Sequence, residues 1–131
     1  MKALDTNVLV RFLMRDDERQ ASRVLARIEQ AEQAGEVLFI TDLALLETIW
    51  VLSRLEALPR AAILEALERL LAMPVLRFER PERVRRLVDA GRTTLLDLAD
   101  LFIGLAASDH GCEATLTFDK KASRSDLFEA L

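Results

Sequence analysis

The chain has 131 residues, a length that fits one domain (residues 1–131) and buries roughly 68% of its unfolded surface without disulfide or metal staples. Its formal net charge is −4 and its pI about 5.1. That balance argues against a general polyanion binder, but not against an enzyme of nucleic acid, because a divalent metal can supply positive charge where a phosphate must sit.

In chain order, a strand is expected over residues 2–5, closing on Asp5. Thr6-Asn7 begins a helix with Val8, Leu9, Phe12 and Leu13 at helical spacing. A charged helix follows near residues 17–34, with Ala21, Val24, Leu25 and Ile28 on one face, and Gly35 stops it. Val37-Leu38-Phe39-Ile40 reads as a buried strand. Thr41 caps a helix that runs to about Leu55 and carries Leu45, Ile49 and Leu52. Pro59 breaks the chain and opens a helix at Arg60, with a stripe of Ile63, Leu67, Leu70 and Leu71. Pro74 begins the strand Val75-Leu76-Arg77-Phe78. Pro81 opens a helix over 82–90 that Gly91 ends. A helix near 97–109 precedes a last strand, Ala114-Thr115-Leu116-Thr117-Phe118, and a short C-terminal segment packs Leu127, Phe128 and Leu131.

Strands alternating with helices predict an α/β fold with a mainly parallel sheet covered on both faces. Such sheets place ligands beyond the carboxyl ends of their strands. Asp5 and Asp119 fall at those ends. Glu47 interrupts the apolar run Leu43–Leu52, and Asp100 interrupts Leu98–Ile103. Carboxylates are rarely embedded in apolar sequence unless paired or metal-bound, so Asp5, Glu47, Asp100 and Asp119 are candidates for one shared site holding a hard cation. Oxygen-only ligands favour Mg²⁺ or Mn²⁺. Asp97 shares a helix face with Asp100 and reads equally as a helix cap. Taken singly, Asp5 also reads as a cap and Asp119 as a surface turn.

Other chemistries lack their residues. Cys112 is the one cysteine, which excludes a Cys-based zinc site and leaves a small buried hydrophobe as the expectation. His110 is the one histidine, so no His acid–base pair exists. It sits at an expected helix end. No glycine-rich nucleotide loop occurs. No N-terminal stretch resembles a signal peptide, and no run approaches the ~20 residues of a membrane span, so a cytoplasmic protein with no membrane partner is expected. Metal-activated water attacking a phosphodiester is the remaining chemistry.

These residues resemble a known family. Ala3-Leu4-Asp5-Thr6-Asn7-Val8-Leu9-Val10-Arg11 resembles the opening of PIN-domain ribonucleases. Glu47-Thr48-Ile49-Trp50-Val51-Leu52 resembles their second acidic motif. Asp97-Leu98-Ala99-Asp100-Leu101-Phe102-Ile103 resembles the third, and Thr117-Phe118-Asp119 the fourth. Each motif is short, and their order from residue 3 to residue 119 makes the set specific. The compact length and the Trp50 context look most like VapC toxins of toxin–antitoxin pairs. The resemblance implies a three-layer α/β/α fold and a Mg²⁺- or Mn²⁺-dependent endoribonuclease. It also implies a homodimer and a small antitoxin protein. By position it makes Asp5 and Asp100 the main metal ligands, with Glu47 and Asp119 completing the set. Thr6, Asn7 and Thr117 would orient carboxylates and water, and Asp97 matches an acid present in many members.

Three other readings fit less well. A phosphoacceptor receiver domain would want paired acids after its first strand, whereas Asp16-Asp17 follows a helix. A haloacid-dehalogenase-like phosphatase would want a second Asp where Asn7 stands. A PIN-fold protein that binds RNA without cutting it would not need the intact acidic set. RNA could be held by Arg80, Arg83, Arg85, Arg86 and Arg92, or by Arg11, Arg15, Lys120, Lys121 and Arg124; solvated helix faces explain the same residues. The 51% hydrophobic content leads to the expectation that parts of the three helical stripes above form an antitoxin groove and a dimer interface.

Overall fold

Parallel pairing governs every strand pair in the computed structural model, which describes all residues from Met1 to Leu131. The chain forms two compact units, Met1–Pro81 and Glu82–Leu131.

The first unit runs β1 (Lys2–Ala3), α1 (Thr6–Met14), α2 (Glu18–Ala34), β2 (Leu38–Ile40), α3 (Asp42–Arg54), α4 (Arg60–Leu71) and β3 (Leu76–Phe78). Its sheet has the order β1-β2-β3, with Lys2 opposite Leu38 and Leu38 opposite Leu76. Parallel neighbours cannot be joined by a hairpin, so each crossover carries two helices. The helix boundaries follow the side chains. Asp5 caps α1, Asp17 caps α2 through the Gln20 N–H at 3.0 Å, and Thr41 caps α3 through the Ala44 N–H at 3.0 Å. Gly35 ends α2 at φ +66°, a conformation that costs glycine little.

Packing then selects the faces. Leu9, Leu38, Ile40, Leu45, Ile49, Leu52, Ile63, Leu67 and Leu70 are all buried. Each such side chain removed from water stabilises the fold by about 1.5–3 kcal/mol. The expectation that parts of the helical stripes supply partner surface does not hold at Leu45, Ile49 and Leu52 or at Ile63, Leu67 and Leu70, which are core. Ala21 and Ile28 are buried too, and Val24 and Leu25 half-buried. The reason lies in the crossovers: α1 packs on α2 and α3, and α4 on α3 and β3, which consumes these stripes inside the unit. The apolar side chains left outside here are Met1, Leu43, Trp50 and Leu55.

The second unit contains α5 (Pro81–Thr93), α6 (Leu98–Asp109), β4 (Thr115–Thr117), a short 3-10 turn (Ala122–Arg124) and β5 (Phe128–Ala130). β4 and β5 form their own parallel pair, so the expected parallel strands are distributed over two sheets. Three expectations need correction here. Gly91 does not end α5, because a single glycine costs a helix only about 1 kcal/mol. The helix stops beyond Thr93, where the Thr93 and Thr94 hydroxyls both donate to the Ala90 carbonyl, at 3.3 and 3.0 Å. Cys112 is exposed rather than buried, since it lies in the turn after α6. The C-terminal segment is a strand, and Leu131 is exposed while Phe128 is buried.

Around a core that includes Val84, Leu87, Leu101 and Phe102, two specific contacts tie elements of this unit together. Gly104 of α6 lets β5 approach: a Cβ there would lie 2.9 Å from the Phe128 ring and 3.1 Å from the Leu127 Cβ. Arg83 of α5 is buried, and its Nε donates to Asp109 Oδ2 at 2.7 Å, while Arg86 donates to the other carboxylate oxygen. Arg83 is thus an internal tie between two helices, neither a solvated residue nor a phosphate grip. The Arg83 hydrogen bond holds the Asp109 carboxyl below its ordinary range; Arg86 adds to this and desolvation opposes it.

Gly104→Val should destabilise the chain by about 1–3 kcal/mol through overpacking, read as a lower urea midpoint at unchanged slope. Asp109→Asn should cost on the order of 1 kcal/mol at neutral pH, discounted because the Asp109 side chain is partly open to solvent. A carboxyl depressed by folding stabilises above its unfolded pKa of about 3.9 and loses that contribution as pH falls through the folded value. The melting difference between wild type and Asp109→Asn should therefore shrink below about pH 4. A difference that persists unchanged into acid would contradict the assignment.

Candidate active site

A strand of the first sheet hands its chain directly to a helix at the carboxyl edge. Leu4 N–H bonds the Phe39 carbonyl at 2.8 Å, which carries the β1–β2 ladder up to Asp5. Asp5 then turns the chain: its extended backbone (φ −81°, ψ 162°) and its Oδ1, accepting the Thr6 N–H at 2.8 Å, start α1. Beside it, β2 runs through Thr41 into α3 in the same way. Parallel pairing thus brings two helix N-termini to one edge, and a cleft of about 560 Å³ opens between them. It is lined by Ala3, Leu4, Asp5 and Thr6 from the first turn and by Thr41, Leu43, Ala44 and Glu47 from the second. Asp5 and Glu47, 42 residues apart in sequence, share this cleft.

The hydrogen bonds divide each carboxylate's work. Asp5 Oδ1 is committed to the backbone, and Oδ2 makes no hydrogen bond. Glu47 is exposed at the cleft wall and has no hydrogen-bonded partner. Behind it, Thr48 is fully buried and its hydroxyl donates to the Ala44 carbonyl at 2.7 Å, so the polar group next to Glu47 is satisfied inside the helix. Thr6 is buried behind Asp5. Asn7 lies one residue further along α1 and lines a different cleft, with Arg11, Gln20, Arg23 and Arg27.

Glu79 was not singled out from the sequence. It follows β3 as Asp5 follows β1, and its Oε1 accepts the Asp42 N–H at the start of α3, 3.2 Å away. Its own N–H bonds the Ile40 carbonyl at 3.0 Å. Glu79 thereby fixes the helix that carries Glu47. The available signal was an acid immediately after the strand Leu76-Arg77-Phe78, the pattern already read at Asp5.

In the second unit, Asp97 caps α6: its Oδ1 accepts the N–H groups of Ala99 at 3.0 Å and Asp100 at 3.1 Å. The capping reading of Asp97 is therefore real, and it places Asp100, half-buried, in the first helical turn. Asp119 follows β4. Its Oδ1 accepts from Lys121 N–H at 2.8 Å and Ala122 N–H at 3.3 Å, its own N–H donates to Thr117 Oγ1 at 3.0 Å, and Oδ2 makes no hydrogen bond. Thr117 thus orients the Asp119 backbone. His110 closes α6 as its C-cap.

Within neither unit do three or more His, Cys, Asp or Glu side chains converge to hold a metal ion. Two carboxylates do share the first unit's cleft. That suits Mg²⁺, which keeps several of its own waters and takes one or two carboxylates rather than a full protein cage. The lining offers only oxygen donors, the set a hard divalent cation selects over zinc.

The sequence model of the PIN domain family matches residues 2–126, almost the whole chain. That family is one of nucleases, which typically use divalent metals. A comparison with curated proteins gives no match.

Asparagine caps a helix as well as aspartate does, whereas alanine does not. Asp97→Ala should therefore cost about 1 kcal/mol of stability, and Asp97→Asn less than about half of that. A loss of nuclease activity in Asp97→Asn at unchanged stability would assign the charge, and not only the cap, to the reaction.

Proposed function

The chain belongs to the PIN domain family, and on that premise we propose that it is a Mg²⁺- or Mn²⁺-dependent endoribonuclease hydrolysing RNA phosphodiester bonds with water. The observation that carries the reading is the carboxylate cleft at the edge of the parallel sheet, where Asp5 keeps one oxygen for the backbone and leaves the other without a hydrogen bond. Asp5 Oδ2 and Glu47 would hold the metal from the first unit. Asp100 and Asp119 enter through the order of the acidic motifs, with Asp97 and Thr117 setting the turns that present them. When bound, the metal supplies a Lewis acid and lowers the pKa of its water.

The chain's own groups orient the rest. Asp5 cannot swing away, because its Oδ1 is tied to the first N–H of α1. Glu47 stays on its helix face because Thr48, Ile49 and Leu45 are anchored in the core. Carboxylates without hydrogen bonds accept from water and hold it for in-line attack. No imidazole is needed, and the one histidine is engaged as the end of α6. Attack by water leaves a 5′-phosphate and a 3′-hydroxyl and does not use the 2′-hydroxyl.

The finer reading is a VapC-like toxin, acting as a homodimer in the cytoplasm and silenced by a small antitoxin. Its support is the ordered motif set and the Trp50 context within Glu47-Thr48-Ile49-Trp50. An antitoxin arginine facing Asp5 and Glu47 would displace the metal, because guanidinium pairs well with carboxylate. Co-expression with the product of the neighbouring gene, if that gene encodes the antitoxin, should give a stable complex with suppressed cleavage.

Purified protein should cut RNA in Mn²⁺ and stop in EDTA. Asp5→Asn and Asp100→Asn should each lower the rate at least 100-fold while the fold melts normally, with the loss measured on a labelled RNA under single-turnover conditions. Mn²⁺ should also raise the melting temperature of the wild type, and raise it less for Asp5→Ala. Recovery of 2′,3′-cyclic phosphate ends with no effect of EDTA would falsify the metal-water reading.

A further inference from the structure

A second cleft lies on the other side of α1, between it and α2, with a volume of about 530 Å³. Three arginines line it, Arg11 from α1 and Arg23 and Arg27 from α2, over a floor of Val8 and Val24; its lining holds no acidic side chain. Asp16 and Glu36 at its rim offset two of these charges, so in a chain of net charge −4 its surplus positive charge rests on one guanidinium. The three guanidiniums are not equivalent. Arg11 is held by Gln20 and by Asp16, the latter at 3.3 Å. Arg27 Nη2 donates to both Glu36 oxygens, at 2.8 and 3.0 Å, while its Nη1 is buried and has no hydrogen-bond partner. Arg23 is exposed and engages no carboxylate. Two arginines are thus held in place from the rim, Arg27 Nη1 is closed off from solvent, and the guanidinium left uncommitted and open to a ligand is that of Arg23.

We propose that this cleft is a phosphate-backbone subsite that holds single-stranded RNA beside the carboxylate cleft. The proposal rests on the nuclease reading for its ligand. α1 links the two clefts: Asp5 caps it on one side, and Asn7 and Arg11 follow on the other. Six residues of helix separate Asp5 from Arg11, about 9 Å along the axis. That is close to the rise of two or three stacked nucleotides at ~3.4 Å each. A strand whose reacting phosphate lies at Asp5 therefore brings its neighbouring phosphates to the arginines. Arginine suits that role because its planar fork can donate two bonds to one phosphate. Held in this way, the substrate is positioned by its backbone and not by its bases, so the subsite contributes affinity and register without sequence preference.

The test uses the full chain in an Asp5→Asn background, so that RNA binds without being cut. A fluorescein-labelled single-stranded RNA is titrated at several NaCl concentrations. Arg23→Ala should weaken binding on the order of tenfold and make the slope of log K against log[salt] shallower by about 0.7, the share of one phosphate contact on a single strand. Arg23→Lys should keep the slope. Arg69→Ala, on α4 away from the cleft, should change neither quantity. Unchanged affinity and slope in Arg23→Ala would overturn the subsite. So would an oligoglutamate peptide that binds through Arg23 while RNA does not, which would mark an acidic-peptide site. Cleavage by the wild type in Mn²⁺ is scored separately. Its absence would sink the nuclease reading while an Arg23-dependent RNA affinity still supported the subsite.

Discussion

A parallel strand has to be re-entered from the same end as its neighbour, and most of the first unit depends on that constraint. Both crossovers carry helices, the first helix of each leaves from the carboxyl edge, and its N-terminus then presents N–H groups that its own turns cannot satisfy. Asp5, Thr41 and Glu79 meet that demand, each by accepting a backbone N–H at the start of α1 or α3. The residues that begin the helices are therefore the residues at the mouth of the cleft. Capping and cleft lining are not separate at this edge, because the partial positive charge of the helix ends also makes it a favourable place for carboxylates.

The same economy appears in how oxygen atoms are used. Asp5 and Asp119 each tie one carboxylate oxygen to backbone N–H groups and keep the second without a hydrogen bond. A carboxylate fixed on one side is oriented without being neutralised, which is what a metal ligand requires. Asp97 uses one oxygen for two N–H groups and so sets the angle at which α6 begins, one turn before Asp100 presents its side chain. In each unit, then, these carboxylates are oriented by ordinary secondary-structure bonds rather than by a dedicated polar network.

Burial inside the unit accounts for the apolar stripes of α3 and α4. In this unit α3 packs between α1 and α4, and α4 packs on α3 and on β3. Leu45, Ile49 and Leu52 on α3 and Ile63, Leu67 and Leu70 on α4 are buried by that packing. Arg83 shows the opposite case. A cluster of arginines in sequence looks like a surface, yet Arg83 is buried by its pairing with Asp109, 26 residues away. Pairing at that range leaves no local trace.

Local chemistry in the sequence determined the helices, their caps at Asp5, Thr41 and Asp97, the stop at Gly35, the parallel α/β class and the acids at the strand ends. Each of these rests on a preference that acts within a few residues: helical spacing, a side-chain oxygen reaching an N–H one to three residues on, a glycine free to take positive φ. Only the tertiary structure decided that Asp5 and Glu47 line one cleft, that Glu79 steadies the helix carrying Glu47, that Gly104 is a contact for Phe128, and that three arginines meet between α1 and α2. Those facts depend on which strands pair and which helix faces meet, and such contacts arise from burial summed over the whole unit, which no short stretch of sequence encodes.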